Sequence, residues 1–96
     1  MIQTIGLAHR AKKATIGTEM TIDALRKQQL HLIVLATDAS MLTKKKVYDK
    51  AKTYQTEVLE VITSDVLSHA LGKKDIKVIG ITDLGFSQLL MNEKRK

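Results

Sequence analysis

The stretch HLIVLATD, residues 31–38, decides the fold of this chain. Its five central residues, Leu32 to Ala36, are all apolar. A strand with one face in water would alternate apolar and polar residues, so this run predicts a strand that is covered on both faces. The branched side chains of Ile33 and Val34 favour a strand over a buried helix. The next residues, 37–40, offer capping side chains before a helical pattern, which predicts helices on both faces of a sheet.

Helical and strand patterns alternate along the rest of the chain. We expect helices at residues 2–13, 18–29, 41–55, 63–71 and 83–93, and strands at 15–17, 31–37, 58–62 and 76–82. Thr18 is expected to cap the second helix. This order predicts an α/β protein, a three-layer α/β/α sandwich with a four-stranded mixed sheet. No linker, low-complexity run or internal repeat interrupts the pattern, so we expect a single domain, 1–96.

The composition points to a small basic protein. Apolar residues make up 44% of the chain, and sixteen Lys and Arg against ten Asp and Glu give a net charge of +6. Such a charge is typical of polyanion binders, but it also supplies solubility, so composition leaves both readings open. No signal peptide and no apolar run near the roughly 20 residues of a membrane span are visible. The absence of cysteine suits a reducing compartment, and we expect a cytoplasmic protein.

Residues for catalysis are poorly represented. His9, His31 and His69 fall on different elements, and no motif surrounds them. Asp65 and His69, spaced i and i+4, could share a metal on a helix, although an exposed pair is the commoner outcome. No Walker loop or dinucleotide fingerprint is present. We therefore expect no catalytic residues, no metal site and no cofactor.

The loops that follow the strands are more informative. We expect residues 37–39, 62–64 and 82–83 to gather at one side of the sheet, where the first amides of the following helices favour anions. The spacing leaves open whether the Gly17–Thr18 turn joins them.

Several short motifs together resemble a known family. They are Gly17 opening a helix, Ala24–Leu25, the 32–36 strand with Asp38 after it, the LSHALG run at 67–72 and Asp83–Leu84–Gly85. In order and spacing, over about residues 5–90, they resemble the ribosomal-protein-type kink-turn RNA-binding family (archaeal L-seven-Ae and eukaryotic L-thirty-e type), particularly its small bacterial YlxQ-like branch. The resemblance implies an α/β/α sandwich that binds a sharply bent RNA internal loop. We expect ribosomal or structured regulatory RNA as the partner, with the ribosome a further candidate, and a monomer.

The resemblance also implies which residues contact RNA. In the family, the turn and first residues of the second helix approach tandem G·A pairs, and the carried-over positions are Gly17, Thr18, Glu19, Met20 and Asp23. A second loop offers small apolar contacts to an extruded base, here Val61, Ile62, Thr63 and Ser64. Phosphate contacts are expected from Lys12, Lys13 and Lys44, with Lys45 and Lys73 as further candidates.

The chain departs from the family at three of these positions. RNA-binding members have Asn, Glu and Lys where this chain has Glu19, Met20 and Asp23. A carboxylate that only accepts hydrogen bonds replaces an amide, and an anion replaces a cation near phosphates. A protein-interaction module on the same fold therefore stays an open alternative. A small enzyme for phosphorylated ligands is a third, but no nucleophile–base pair supports it.

Overall fold

The computed structural model describes residues 1–95; Lys96, the last residue of the expected domain, lies outside the described residues. The elements are α1 (Ile2–Arg10), β1 (Ala14–Ile16), α2 (Thr18–Arg26), β2 (Leu32–Leu35), α3 (Met41–Thr53), β3 (Val58–Leu59), α4 (Ser64–Leu71), β4 (Val78–Ile81) and α5 (Leu84–Arg95). All the expected elements are present. Strands β2, β3 and β4 are shorter than expected, β1 is shifted by one residue, and α1, α2 and α3 end two or three residues earlier than expected. The expected fold class, an α/β sandwich with a four-stranded mixed sheet, is confirmed.

The strand order is β1-β4-β2-β3. Strand β4 is antiparallel to both of its neighbours, whereas β2 and β3 are parallel. As a result, β1, β2 and β3 all end at one edge of the sheet, and β4 begins there. We call this edge the rim. The other edge, where β4 ends, is the opposite edge.

This direction of β4 corrects one expectation. Residues 82–83 were expected beside 37–39 and 62–64, but they follow β4 and so lie at the opposite edge. There the Thr82 N–H donates to the Lys13 carbonyl oxygen (2.9 Å) and the His31 N–H to that of Ile81 (2.8 Å). The expectation failed because it took β2, β3 and β4, the strands before these three loops, to be parallel, whereas β4 is antiparallel to β2.

The central strand β2 is buried on both faces, as its apolar run predicts. Ile33 and Leu35 pack in a core with residues of α2 and α3. Leu32 and Val34 belong to a second core with α1, α4 and α5. Alternate side chains of one strand thus hold both helical layers to the sheet, and each fully buried aliphatic side chain contributes about 1.5–3 kcal/mol.

A polar link fixes the start of α2 against the sheet. The Thr15 hydroxyl oxygen accepts from the Gly80 N–H (3.0 Å) and lies 2.9 Å from the hydroxyl of Thr21, which is fully buried. A side chain at position 80 would occupy this space: its Cβ would lie 2.6 Å from Thr15 Oγ1 and 2.7 Å from Leu30 Cδ2. Glycine is therefore required at 80 for close approach.

Gly80→Ala is expected to lower the free energy of unfolding by about 1–3 kcal/mol, because the added methyl group overpacks a filled site. Urea denaturation would measure the change. Leu30→Ala creates space beside the new methyl group, so the double variant should lose less stability than the two single variants together. If the losses in the free energy of unfolding were strictly additive, the added methyl group would not be in contact with Leu30.

Candidate nucleic-acid interface

The rim brings the Gly17 turn and the loops after β2 and β3 into one row. The Gly17 N–H donates to the Val78 carbonyl (2.8 Å), and the Ala36 N–H donates to that of Lys77 (2.8 Å). Farther along, the Thr37 N–H donates to the Ile62 carbonyl (2.9 Å). The first and last strands of the sheet are three spacings, or about 15 Å, apart. The Gly17 turn, which the spacing alone left open, therefore shares an edge with residues 61–64.

The turn before α2 depends on glycine. Gly17 has φ +92° and precedes the helix as its N-cap residue, a conformation that strains other residues. Thr18 was expected to cap α2, but it is the first helical residue, and no side chain of the described chain caps this helix. The N–H groups of the first turn point outward from a helix start, so Thr18, Glu19 and Met20 offer backbone donors at the rim.

The side chains on the first turns of α2 are exposed. Glu19 lies open to solvent, and 58% of Met20 is accessible. Asp23 forms an ion pair with Lys27 (3.0 Å) one turn farther along. Both partners are exposed, so this ion pair adds little to stability. This part of the rim is apolar and acidic rather than basic.

The loop after β3 mixes open and structural residues. Val61 is 43% exposed, while Ile62 packs against the core formed with α1, α4 and α5. The Thr63 hydroxyl accepts from the Val66 N–H (3.3 Å) and caps α4. Ser64 is buried and hydrogen-bonded to Asp38. Val61 is therefore the most accessible apolar contact of this loop.

A hydrogen-bonded cluster holds the rim loops together. Asp38 accepts from the Ser64 N–H (2.7 Å) and from its hydroxyl (2.6 Å). Lys77 Nζ donates to the Ser64 hydroxyl (3.0 Å) and lies 3.9 Å from the Asp38 carboxylate. The Ser64 hydrogen bonds, more than the Lys77 charge, lower the pKa of Asp38. Lys77 was missed at the sequence level because its place at the rim depends on the direction of β4.

Lys44 lies at the rim but is already engaged. Its ammonium group donates to the Thr37 carbonyl (2.7 Å) and forms an ion pair with Glu60 (3.0 Å). The Tyr48 hydroxyl donates to the same carboxylate (2.7 Å). Hydrogen bonds from Tyr48 and then Lys44 lower the pKa of Glu60, while desolvation and Glu60 raise the pKa of Tyr48 to about 12. Lys44 thus acts as a fixed structural cation.

The other expected phosphate contacts are scattered. Lys12 and Lys13 precede β1, so the length of that strand, about 13 Å from Lys13 to Gly17, separates them from the rim. They are not brought together with the other site residues. Lys45 is exposed on α3, and Lys73 is exposed just after α4.

Metal-binding clusters and membrane-spanning helices are absent from residues 1–95. Residues 1–95 contain no group of three or more His, Cys, Asp or Glu residues that could hold a metal ion, so Asp65 and His69 have no third ligand. Within the same residues, no helix is both long and apolar enough to cross a membrane.

Comparisons with known proteins agree with the resemblance drawn from the sequence. A family model described as the ribosomal protein L7Ae/L30e/S12e/Gadd45 family matches residues 1–91. The RNA-binding protein YlxQ of Bacillus subtilis (strain 168) is 36% identical over 88 residues, which cover 92% of this chain and 88% of that protein. The RNA-binding protein YlxQ of Enterococcus faecium is 40% identical over 84 residues, which cover 88% and 81%. The similarity to small bacterial members is confirmed.

Solved structures show the same fold. A protein described as of unknown function from Bacillus halodurans C superimposes with a TM-score of 0.94 at 37% identity, covering 99% of this chain and 96% of that one. The Giardia lamblia 15.5kD RNA binding protein superimposes with a TM-score of 0.81, covering 95% and 78%. Its 10% identity supports the shared fold alone.

Asp38→Asn is expected to lower stability at neutral pH, because the amide NH₂ cannot accept the Ser64 hydroxyl hydrogen bond. The folded-state pKa of Asp38 is lowered, so its contribution is complete above the unfolded-state value and is lost as the pH falls through the folded-state value. Urea denaturation of both proteins should therefore show a constant difference from pH 7 to 5 that shrinks below about pH 4. Asp49→Asn controls for the loss of one negative charge; a difference that grows on acidification would contradict the assignment.

Proposed function

Because this chain belongs to the ribosomal protein L7Ae/L30e/S12e/Gadd45 family, we propose that it is a non-enzymatic RNA-binding protein that recognises a kink-turn or a similarly bent internal loop. The observation that carries this proposal is the common edge shared by the Gly17 turn and residues 61–64. Because the two segments lie at the same edge of the sheet, one bent RNA can contact both of them.

The chemistry of the two segments suits different parts of such an RNA. Outward N–H groups at the start of α2 can donate to base edges or phosphates, and the Glu19 carboxylate can accept from guanine N–H groups. Val61 offers an apolar surface to a base that is turned out of its stack. RNA is recognised mostly through its shape, its bulges and its unstacked bases, and these are the features of an internal loop.

The charges at the rim do not by themselves attract RNA. Glu19 and Asp23 repel phosphates, and Lys44 and Lys77 are engaged within the protein. Attraction for RNA must therefore come from the overall charge of +6 and from cations beyond the rim loops. We place the protein in the cytoplasm, as a monomeric single domain bound to ribosomal or structured regulatory RNA, with the ribosome as a candidate assembly.

A protein-interaction module is the second candidate, and a specific observation favours it. Met41 and Leu42, in the first turn of α3, are 81% and 80% exposed, and Met20 is exposed in the first turn of α2. Both helices start at the rim, so this edge carries apolar surface that a protein could cover. A pull-down that survives nuclease treatment, without a preference for kinked RNA, would favour this candidate.

Gel-shift titrations against a kink-turn RNA and a straight duplex of equal length test the proposal. We expect clear preference for the kink-turn and, if four to six phosphates are contacted, a log–log dependence of affinity on salt with a slope of roughly −3 to −5. Equal and weak binding to both RNAs would reduce the protein to a nonspecific polycation.

Glu19→Asn is expected to raise kink-turn affinity roughly fivefold, about 1 kcal/mol, because an amide can donate as well as accept. Asp23→Lys should raise it further by placing a cation beside phosphates and by removing the partner of Lys27. The same titrations measure both changes.

Glu57→Asn is the matched control, since Glu57 is an exposed carboxylate that precedes β3 and so lies away from the rim. A gain in the control equal to that of Glu19→Asn would show that net charge alone is responsible. No gain from either α2 variant would move the binding surface elsewhere.

A further inference from the structure

Helix α3 carries most of the net positive charge of the chain. Its sequence MLTKKKVYDKAKT holds five lysines and one aspartate, a net charge of +4 against +6 for all 96 residues. Val47 and Ala51 are buried against the sheet, and Lys45, Lys46 and Lys52 are exposed on the outer side of the helix. This concentration is greater than solubility requires, because solubility is served by charges of both signs that are spread over the surface.

Three of these lysines are free to meet a ligand. Lys45, Lys46 and Lys52 are exposed, and in residues 1–95 none of them forms an ion pair or a side-chain hydrogen bond. Asp49 lies three or four positions from each of them on the same surface, yet it pairs with none. One carboxylate cannot neutralise three ammonium groups, so this outer face remains positive.

The folding of α3 explains only part of this pattern. Lysines near a helix C-terminus stabilise it through the dipole, and this accounts for Lys50 and Lys52 in the last turn. Lys45 and Lys46 lie in the first half of the helix, whose first turn contains no acidic residue. The helix dipole does not stabilise cations there, and Lys46 is also repelled by the like charge of Lys50 at i, i+4. Binding of an external anion accounts for lysines at these positions.

The direction of α3 connects this face to the rim. The helix follows β2, so it begins at the rim and extends about 20 Å away from it. Lys45 and Lys52 lie on one row with Met41 and Tyr48, at spacings of three and four residues. A ligand held at the rim that continues along α3 would meet these cations in turn.

We propose that the outer face of α3, formed by Lys45, Lys46 and Lys52, is a second RNA-binding surface that contacts the phosphate backbone of a base-paired stem leaving the bent loop. This inference rests on the proposed function and adds the stem to it. Lysines bind phosphates as point charges without reading sequence. Single-stranded RNA fits less well, because binding by stacking uses several aromatic side chains and α3 has one, Tyr48, whose hydroxyl is hydrogen-bonded to Glu60.

The test compares two variants with the same change in charge. Lys45→Gln/Lys46→Gln removes two cations from α3, and Lys12→Gln/Lys13→Gln removes two from the opposite edge. Glutamine and lysine have similar helix propensities in α3, and Lys12 and Lys13 are exposed residues outside any helix, so both proteins should keep the wild-type melting temperature and circular dichroism spectrum. Each is titrated with a kink-turn RNA that has long stems and with versions in which one stem or the other is trimmed close to the kink.

For the long-stem RNA, we expect the α3 variant to flatten the salt slope by about 2 and to weaken binding roughly 30-fold at 0.15 M salt. The control should change the slope by much less, and trimming one of the two stems should abolish the difference between the variants. The inference would be overturned if the two variants had equal effects. It would also be overturned if the α3 variant weakened binding equally to the long-stem RNA and to each of the two trimmed RNAs. If the inference fails but the wild-type protein still prefers the kink-turn RNA to a straight duplex, the proposed function is retained. If the wild-type protein shows no such preference, the proposed function is itself contradicted.

Discussion

The antiparallel placement of β4 between β1 and β2 is the constraint on which the candidate site depends. Because β4 runs against both neighbours, the ends of β1, β2 and β3 meet at one edge, together with the start of β4. Gly17 and the loop at 61–64 are 44 or more residues apart in the chain, yet they share this edge. A parallel β4 would have placed the residues before it, including Lys77, at the other edge.

The rim is held by side chains as well as by the backbone. One cluster links the loop after β2 to the starts of α4 and β4, and it consists of Asp38, Ser64 and Lys77. A second cluster links α3 to the segment after β3, and it consists of Lys44, Glu60 and Tyr48. Each cluster pairs its own charges, so it fixes the shape of the edge and adds little field outside it. The groups that stay open to a ligand at the rim are the backbone donors of α2, Glu19 and exposed apolar side chains.

The cations that could attract a polyanion lie beyond those clusters, above all on α3. This arrangement is compatible with a protein that reads the shape of an RNA at its rim and gains affinity from phosphates alongside it. It also accounts for the acidic residues of α2. The carboxylates of Glu19 and Asp23 repel phosphates and other hydrogen-bond acceptors, so they would weaken binding of any RNA that does not place donor groups of base edges beside them.

The amino-acid sequence determined the layers and the family. The run 32–36 required cover on both faces, and local periodicity predicted all five helices and four strands, because helix and strand patterns depend on neighbours two to four residues apart. The tertiary structure alone decided which residues meet. Strand direction placed 82–83, Lys12 and Lys13 away from the rim, and it placed Lys77 there. Contacts between residues 16 to 26 positions apart engaged Lys44 and Asp38. Such pairings join loops and helices that are distant in the chain, where spacing along the sequence carries no signal.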